Sequence, residues 1–177
     1  AEAFGADCPS LRVAANLPYY ITTDVLTKLM RELPQAKSIA VMIQKEVGDK
    51  LLSGPGDDGY GPLAVMCQYR YHVMRALAVP AACFNPPPKV DSSFRVLEKL
   101  EQPSVNAGDE EIFTRLVRSA FAMRRKTLLN NLVSGFSLNR EQAAACLAAA
   151  NLSAQARAEE LSLEDFAGLA IQLQNAI

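Results

Sequence analysis

The first hundred residues alternate between short apolar runs and longer amphipathic segments. Runs of strand length cover residues 11–16, 38–44, 72–79 and 92–100, and helical spacing of apolar positions lies over residues 22–33 and from about residue 62. The run at 38–44 is continuously apolar, which is typical of a parallel strand covered on both faces. Strand–helix–strand–helix followed by two strands predicts an α/β fold, the second half of an open sheet.

From about Asp109 onward the pattern is helical throughout. Alanine and leucine are frequent, no run has the length of a strand, and two pairs, Asn139 with Gln142 and Ser162 with Asp165, have capping-box spacing. We therefore predict two domains, an α/β domain over residues 1–104 and a small all-helical domain over residues 105–177.

The composition is that of an ordinary globular chain. Half of the 177 residues are hydrophobic and about a fifth are charged. No apolar run reaches membrane-spanning length and the first residues lack the pattern of a secretion signal, so we expect a cytoplasmic protein without a membrane partner. The four cysteines include no CxxC pair and His72 is the single histidine, so we expect reduced thiols and no metal site.

Charge is segregated along the chain, although the net charge is only −1. Residues 112–140 contain no aspartate or glutamate, and their cations are Arg115, Arg118, Arg124, Arg125, Lys126 and Arg140. On one continuous helical face, Arg115, Arg118 and Arg125 would form a basic stripe opposite the apolar side. A basic face without interleaved acids predicts contact with nucleic-acid phosphates. A solvated charged face is the alternative.

The segment Asn16-Leu17-Pro18-Tyr19 follows the first strand, at the end where open α/β sheets place their ligands. The side-chain oxygen of Asn16 and the carbonyl of Pro18 offer two acceptors for the N6 hydrogens of an adenine, which would aim the nitrogen lone pair at an electrophile. Tyr19 offers a face on which an extruded base can stack. The alternative is a strand-ending turn whose tyrosines only cover the core.

A second unusual segment is CFNPPPKVDSS, residues 83–93. Its three prolines hold an extended, stiff backbone, with Phe84 before them and Lys89 after them. Phe84 can hold the same base from the other side, and Lys89 can meet a phosphate. The alternative is a proline-rich loop between strands with a buried phenylalanine.

Taken in order, these segments resemble those of the rRNA adenine-N6,N6-dimethyltransferases, the dimethyladenosine transferases that modify small-subunit rRNA. NLPYYITT is similar to the family's target-amine motif. VMIQKEVGDKL, PGDDGYGPLAV, FNPPPKVDSSFRVL, FAMRRKTLLNNL and RAEELSLEDFAGLA resemble successive family segments. The resemblance covers essentially the whole chain. It implies the C-terminal half of a Rossmann-like class I methyltransferase sheet, followed by a helical rRNA-binding domain.

The resemblance also implies a reaction and its participants. S-adenosylmethionine would be the methyl donor, and two adjacent adenines in a hairpin near the 3′ end of small-subunit rRNA would be the substrate. Asn16 would contact both the cofactor and the amine, Pro18 would supply the second acceptor, and Tyr19 and Phe84 would hold the adenine. The RNA-binding residues would be Lys89, Arg115, Arg118, Arg124, Arg125 and Lys126.

The family's glycine-rich cofactor loop and its acidic ribose-binding residue do not occur in this sequence. We therefore expect the chain alone to bind S-adenosylmethionine weakly or not at all, and to be inactive. We also expect an open apolar strand edge at residues 11–15, which invites pairing with a second copy. Two alternatives are a large-subunit rRNA adenine methyltransferase that confers antibiotic resistance and a non-catalytic RNA-binding or ribosome-assembly factor.

Overall fold

The secondary structure follows the hydrophobic pattern closely. The computed structural model describes residues 11–177; Cys8, for which the sequence predicts a reduced thiol, lies outside them. The strands are β1 Arg12–Asn16, β2 Ser38–Gln44, β3 Tyr71–Val79 and β4 Ser92–Lys99. The helices are α1 Thr22–Glu32, α2 Lys45–Lys50, α3 Pro62–Arg70, α4 Glu110–Ala120, α5 Leu128–Phe136, α6 Arg140–Ala149 and α7 Leu163–Ala176. Short 3₁₀ turns occupy Tyr19–Ile21, Ala81–Cys83 and Ala158–Glu160.

The chain forms two units. One contains the described residues up to Leu52 together with Arg70–Gln102, and the other contains Ser53–Tyr69 together with Pro103–Ile177. The sequence places Ser53–Tyr69 in the first domain, whereas in the structure this segment packs with the helices.

Two tyrosines explain where Ser53–Tyr69 packs. The hydroxyl of Tyr60 donates to the carbonyl of Leu161 at 2.8 Å, and the ring of Tyr69 stacks on Phe113 with centroids 4.2 Å apart. Both tyrosines are buried. These aromatic side chains therefore belong to the core of the helical unit.

The first unit is built on a mixed sheet with strand order β1-β2-β4-β3. β1 runs parallel to β2, with Asn16 opposite Met42, and β4 runs antiparallel to both of its neighbours. Among the described strands, β1 has a neighbour on one side only, and its residues alternate between exposed and half-buried. Within residues 11–177, the predicted edge at residues 11–15 is therefore open; pairing with a second copy stays a prediction.

Only one face of β2 is well covered. Ile39, Val41 and Ile43 are fully buried, whereas Ala40 and Met42 on the other face are half-buried. The prediction that both faces are covered is wrong. The reason is that α2 packs on the buried face, where Gly48 contacts Arg95 of β4, the residue paired with Val41.

The helical unit has a continuous apolar core. Its fully buried large side chains include Phe113, Leu116, Leu128, Leu132, Leu147, Phe166, Leu169 and Leu173. The capping boxes predicted at Asn139 and Ser162 are confirmed, and the side chain of Asp109 accepts from two backbone amides at the start of α4. No described helix has both the length and the apolar character needed to cross a membrane.

Candidate functional site

A cavity of about 350 Å³ lies at the carboxyl end of β1. Its lining residues are Asn16, Leu17, Pro18, Tyr19, Phe84, Pro86 and Pro88. Pairing with β2 continues one residue past the strand, because the amide of Leu17 donates to the carbonyl of Met42 at 3.1 Å. The structure thus brings Asn16, Pro18 and Tyr19 together with the distant Phe84, as the sequence predicts.

Asn16 presents a free amide to this cavity. Its side chain is exposed, and it has no hydrogen-bond partner among residues 11–177. The backbone beneath it is held by the β1–β2 pairing, so the side chain projects from a fixed point. An amide in this position can donate and accept hydrogen bonds to a ligand.

The carbonyl of Pro18 already has two internal donors. It accepts from the amide of Ile21 at 3.2 Å and from the hydroxyl of Thr22 at 3.0 Å, which together occupy its two lone pairs. The N-cap of α1 is Ile21, without a side-chain capping bond. The neighbouring carbonyl, that of Leu17, has no donor among the described residues.

Two aromatic side chains from distant segments line the cavity. Tyr19 is half-buried, and its hydroxyl shares a hydrogen bond of 2.6 Å with the hydroxyl of Ser92. Phe84 is also half-buried and directly follows the turn Ala81–Cys83. Lys89 is exposed and is not among the lining residues.

Sequence reasoning missed the support behind these aromatic residues. Asp91 and Ser92 lie within the quoted motif, but no periodicity indicates where their side chains bond. The carboxylate of Asp91 accepts from the amide of Ala81 at 2.9 Å, and Ser92 bonds Tyr19. The only available signal was their polar character at the start of a strand.

The cations of the helical unit do not form the continuous stripe that the sequence predicts. α4 ends at Ala120 and α5 begins at Leu128, so Arg124, Arg125 and Lys126 lie in the connecting loop. We call Ala122–Lys126 the basic loop. Its residues are all exposed.

Arg115 differs from the other cations of this region. Its Nε and Nη2 donate to the carbonyl of Gly135 at 3.0 and 2.8 Å, and its guanidinium lies 4.6 Å from the ring centroid of Phe136. The remaining exposed cations have no ion-pair partner among the described residues; they are Arg118, Arg124, Arg125, Lys126 and Arg140. Arg115 thus fastens α4 to the end of α5. Arg140 donates to the side-chain oxygen of Asn130 at 3.2 Å, and the other four side chains have no hydrogen bond among the described residues.

The described residues contain no cluster of three or more metal-ligand side chains. His72 is exposed on β3 and is not a lining residue of the cavity. Cys67 and Cys146 are buried free thiols, and Cys83 is an exposed one. The chemistry available at the cavity is therefore hydrogen bonding by amide and carbonyl groups and stacking on aromatic rings.

Comparison with known proteins gives one consistent family. The model of the ribosomal RNA adenine dimethylase family matches residues 4–175. The Ribosomal RNA small subunit methyltransferase A of Clostridium acetobutylicum is 43% identical over 164 residues, which are 93% of this chain and 59% of that protein. The protein of the same name from Bacillus pumilus is 39% identical over 175 residues, 97% of this chain and 60% of that protein. The chain thus spans about 60% of the length of these relatives.

Two solved structures are similar in fold. A dimethyladenosine transferase from Plasmodium falciparum superposes with a TM-score of 0.77 at 25% identity, covering 98% of this chain and 70% of that one. The 23S rRNA methyltransferase ErmE superposes with a TM-score of 0.67 at 22% identity, again over 98% of this chain and 70% of the other. The second likeness shows the fold alone.

Proposed function

The chain belongs to the ribosomal RNA adenine dimethylase family, and we propose that it acts in the N6-dimethylation of two adjacent adenines in the 3′-terminal hairpin of small-subunit rRNA. The observation that carries this proposal is the cavity at the end of β1, which joins an unpaired amide to two aromatic rings. We further propose that the mixed sheet is the C-terminal part of a Rossmann-like class I methyltransferase sheet. The helical unit would then be the rRNA-binding domain.

The cavity lining suits a flat base with an exocyclic amine. Stacking on an aromatic side chain contributes about 1–3 kcal/mol per base, and Tyr19 and Phe84 provide the rings. The oxygen of the Asn16 amide accepts one N6 hydrogen. The carbonyl of Pro18 can take the other only by releasing Ile21 or Thr22, so we propose the carbonyl of Leu17 as the second acceptor and Pro18 as the residue that fixes the turn.

Two accepted hydrogen bonds prepare the amine for reaction. In free adenine the N6 lone pair is delocalised into the ring, which makes the amine a poor nucleophile. Acceptors held on both N6 hydrogens favour a pyramidal nitrogen whose lone pair points out of the ring plane. The Leu17 carbonyl is part of a backbone that is held by pairing with β2, so this acceptor needs no rearrangement when the reaction occurs.

S-adenosylmethionine, the family's cofactor, supplies the methyl group from a sulfonium centre when it is bound. The described lining residues include no carboxylate that could bind ribose hydroxyls. Asn16 is the only amide side chain among them, and it can both donate and accept hydrogen bonds. The lining therefore fits the target adenine and not the whole cofactor. We propose that Asn16 contacts both, and that the chain alone binds the cofactor weakly or not at all.

Substrate RNA would be held mainly by the exposed cations. Arg118 of α4, the basic loop and Lys89 carry positive charge without ion-pair partners among residues 11–177, which suits contact with phosphates. Arg115 is a structural arginine, because its guanidinium is already bonded to the carbonyl of Gly135 within the helical unit. Any role of Arg115 in RNA binding would be secondary to that contact.

A methyl-transfer assay tests the proposal directly. Small ribosomal subunits that lack the modification are incubated with labelled S-adenosylmethionine and this chain, and the sites of incorporation are mapped. Transfer to N6 of adjacent adenines that is lost in Asn16→Ala supports the function and shows that the chain alone is active. Absence of transfer with salt-dependent binding to the same subunits supports a substrate-recognising part of a methyltransferase.

Other results would favour the competing functions. Transfer to large subunits alone would favour the enzyme class that acts on large-subunit rRNA. Binding that is unchanged by Asn16→Ala and Phe84→Ala would favour a non-catalytic assembly factor. If the chain shows no methyl transfer and no binding to the subunits, the proposal is overturned.

Sedimentation of the free chain tests the separate proposal that the edge of β1 pairs with a second copy.

A further inference from the structure

We infer that Asp91 and Ser92 are positioning residues that hold the two aromatic walls of the cavity, Tyr19 and Phe84, in place for the substrate adenine. The inference rests on the proposed function. Neither residue lines the cavity, and they are neighbours in the chain. Ser92 bonds the hydroxyl of Tyr19, and Asp91 bonds the amide of Ala81 in the turn directly before Phe84, so one short segment at the start of β4 supports both rings.

Ser92 fixes the ring of Tyr19 from its far end. The two hydroxyls are 2.6 Å apart, and Ser92 is 1% exposed. Ser92 also lies in the middle of the sheet, paired with Gln44 of β2 on one side and Val79 of β3 on the other. A tyrosine held by its backbone and by its hydroxyl has little freedom to turn, so its stacking face is formed before the base arrives.

Asp91 fixes the segment that carries Phe84. Its carboxylate accepts from the amide of Ala81 at 2.9 Å, which ties the two ends of the proline-rich loop together. The amide of Phe84 in turn donates to the carbonyl of Ala81 at 3.1 Å, so Ala81 is bonded both to Asp91 and to Phe84. The backbone carbonyl of Asp91 accepts from the amide of Lys45 at 2.9 Å, which anchors the tie to α2.

The next residue supplies a matched control. Ser93 is 1% exposed like Ser92, but its hydroxyl has no hydrogen-bond partner among the described residues. Ser92→Ala and Ser93→Ala therefore remove the same group at adjacent buried positions, and only the first should affect the cavity. Two conservative variants keep the bonds: Ser92→Thr retains a hydroxyl, and Asp91→Asn retains an acceptor for Ala81 without the charge.

The experiment compares the affinity of the full chain for two RNA hairpins at one salt concentration. One carries the two target adenines, and in the other both positions are abasic. The ratio of the two affinities measures the contribution of the two bases, because the phosphate contacts are the same in both hairpins. We expect Ser92→Ala and Asp91→Ala each to reduce this ratio about 3- to 10-fold, the effect of one lost hydrogen bond. Ser93→Ala, Ser92→Thr and Asp91→Asn should leave it within about 2-fold.

A second comparison separates positioning from a general loss of structure. In a Tyr19→Phe background the ring remains but its hydroxyl is gone, so Ser92→Ala should cause no further loss of the ratio. The inference would be overturned if Ser92→Ala lowered the affinity ratio further in the Tyr19→Phe background, or if Ser92→Ala and Ser93→Ala lowered it equally. Neither result would contradict the proposal that the cavity binds adenine. If the unaltered chain shows no preference for the adenine hairpin, the proposed function fails, and the inference fails with it.

Discussion

Replacing Gly48 by alanine is expected to destabilise the chain, although the same change within a helix usually stabilises a protein. Gly48 is buried in α2, and a Cβ atom placed there would lie 2.6 Å from Nε of Arg95 and 3.2 Å from its Nη2. Arg95 is 1% exposed, and its Nη2 donates to Oδ1 of Asp49 at 2.6 Å. The guanidinium therefore cannot move aside without disturbing this ion pair.

Three contributions set the size of the effect. Alanine is favoured over glycine in a helix by about 1 kcal/mol. An extra methyl group in a packed interior costs about 1–3 kcal/mol. Displacing the guanidinium weakens its bond to Asp49, at a cost of about 1 kcal/mol because that carboxylate is 46% exposed. We expect the free energy of unfolding to fall by about 2 kcal/mol.

The sign should reverse in an Arg95→Leu background. A leucine side chain ends one atom before the position of Nε, so alanine at 48 fills space that the arginine occupied and stabilises by about 1 kcal/mol. Arg95→Leu alone should be neutral or stabilising, because Nε and Nη1 of Arg95 have no hydrogen-bond partner among the described residues. Burial also lowers the pKa of Arg95, although Asp49 opposes this shift.

The assay is urea unfolding of the four variants that combine these two sites. Circular dichroism follows the whole chain, and the ring protons of His72, the single histidine, report on the unit that contains the sheet. Gly168→Ala is the control, because Gly168 lies within α7 and a Cβ there meets nothing within 4 Å. If Gly48→Ala stabilises equally in both backgrounds, the packing of Arg95 against α2 is not as described.

Four further predictions concern acid stability, thiol reactivity, RNA binding and the stability of the helical unit. The ammonium group of Lys45 lowers the pKa of Asp49 below its ordinary value of 3.8, and Arg95 adds to this effect. Its contribution to stability is therefore present above pH 3.8 and is lost as the pH falls through the lower folded-state pKa; Asp49→Asn should flatten this part of the acid-unfolding curve. Burial raises the pKa of Cys67 to about 12, so iodoacetamide at pH 8 should label the exposed Cys83 and spare Cys67 until the chain unfolds. Arg125→Gln should reduce the salt dependence of RNA binding by about one unit of slope. Arg115→Gln should instead lower the stability of the helical unit by about 1 kcal/mol.

The following results would contradict the predictions for Asp49, the cysteines and Arg115. An acid-unfolding curve unchanged by Asp49→Asn would mean that the ion pairs of this carboxylate add nothing to stability. Equal labelling of both cysteines in the folded chain, read by peptide mapping, would show that Cys67 is accessible. A loss of RNA affinity in Arg115→Gln without a loss of stability would place Arg115 in the RNA interface.

Much of the fold can be predicted from the sequence because the signals are local. Apolar runs bounded by polar residues mark the four described strands within one or two residues, and the capping-box spacing marks the starts of α6 and α7. The cavity follows from one general rule, that ligands bind at the carboxyl ends of parallel strands. That rule places Asn16 and Tyr19 at the cavity, and Phe84 of the proline-rich segment lines it with them.

Other features could not be predicted, because they depend on contacts between distant residues. The segment Ser53–Tyr69 joins the helical unit through the burial of Tyr60 and Tyr69, and an aromatic residue gives no local sign of which core it enters. Arg115 has the same sequence signature as Arg118. Only the proximity of the Gly135 carbonyl and the Phe136 ring separates a structural arginine from an exposed one.

The break between α4 and α5 shows most clearly how a distant residue can override a local pattern. The sequence predicts one continuous helical face that carries Arg115, Arg118 and Arg125, yet α4 ends at Ala120. The buried amide of Asn131 donates to the carbonyl of Ala120 at 2.6 Å and more weakly to that of Met123 at 3.4 Å. These are carbonyls that a continuing helix would bond to its own amides. Because the cap comes from eleven residues later in the chain, helical periodicity cannot reveal it. Because the helix ends at Ala120, three cations lie on an exposed turn instead of on a packed helix: Arg124, Arg125 and Lys126.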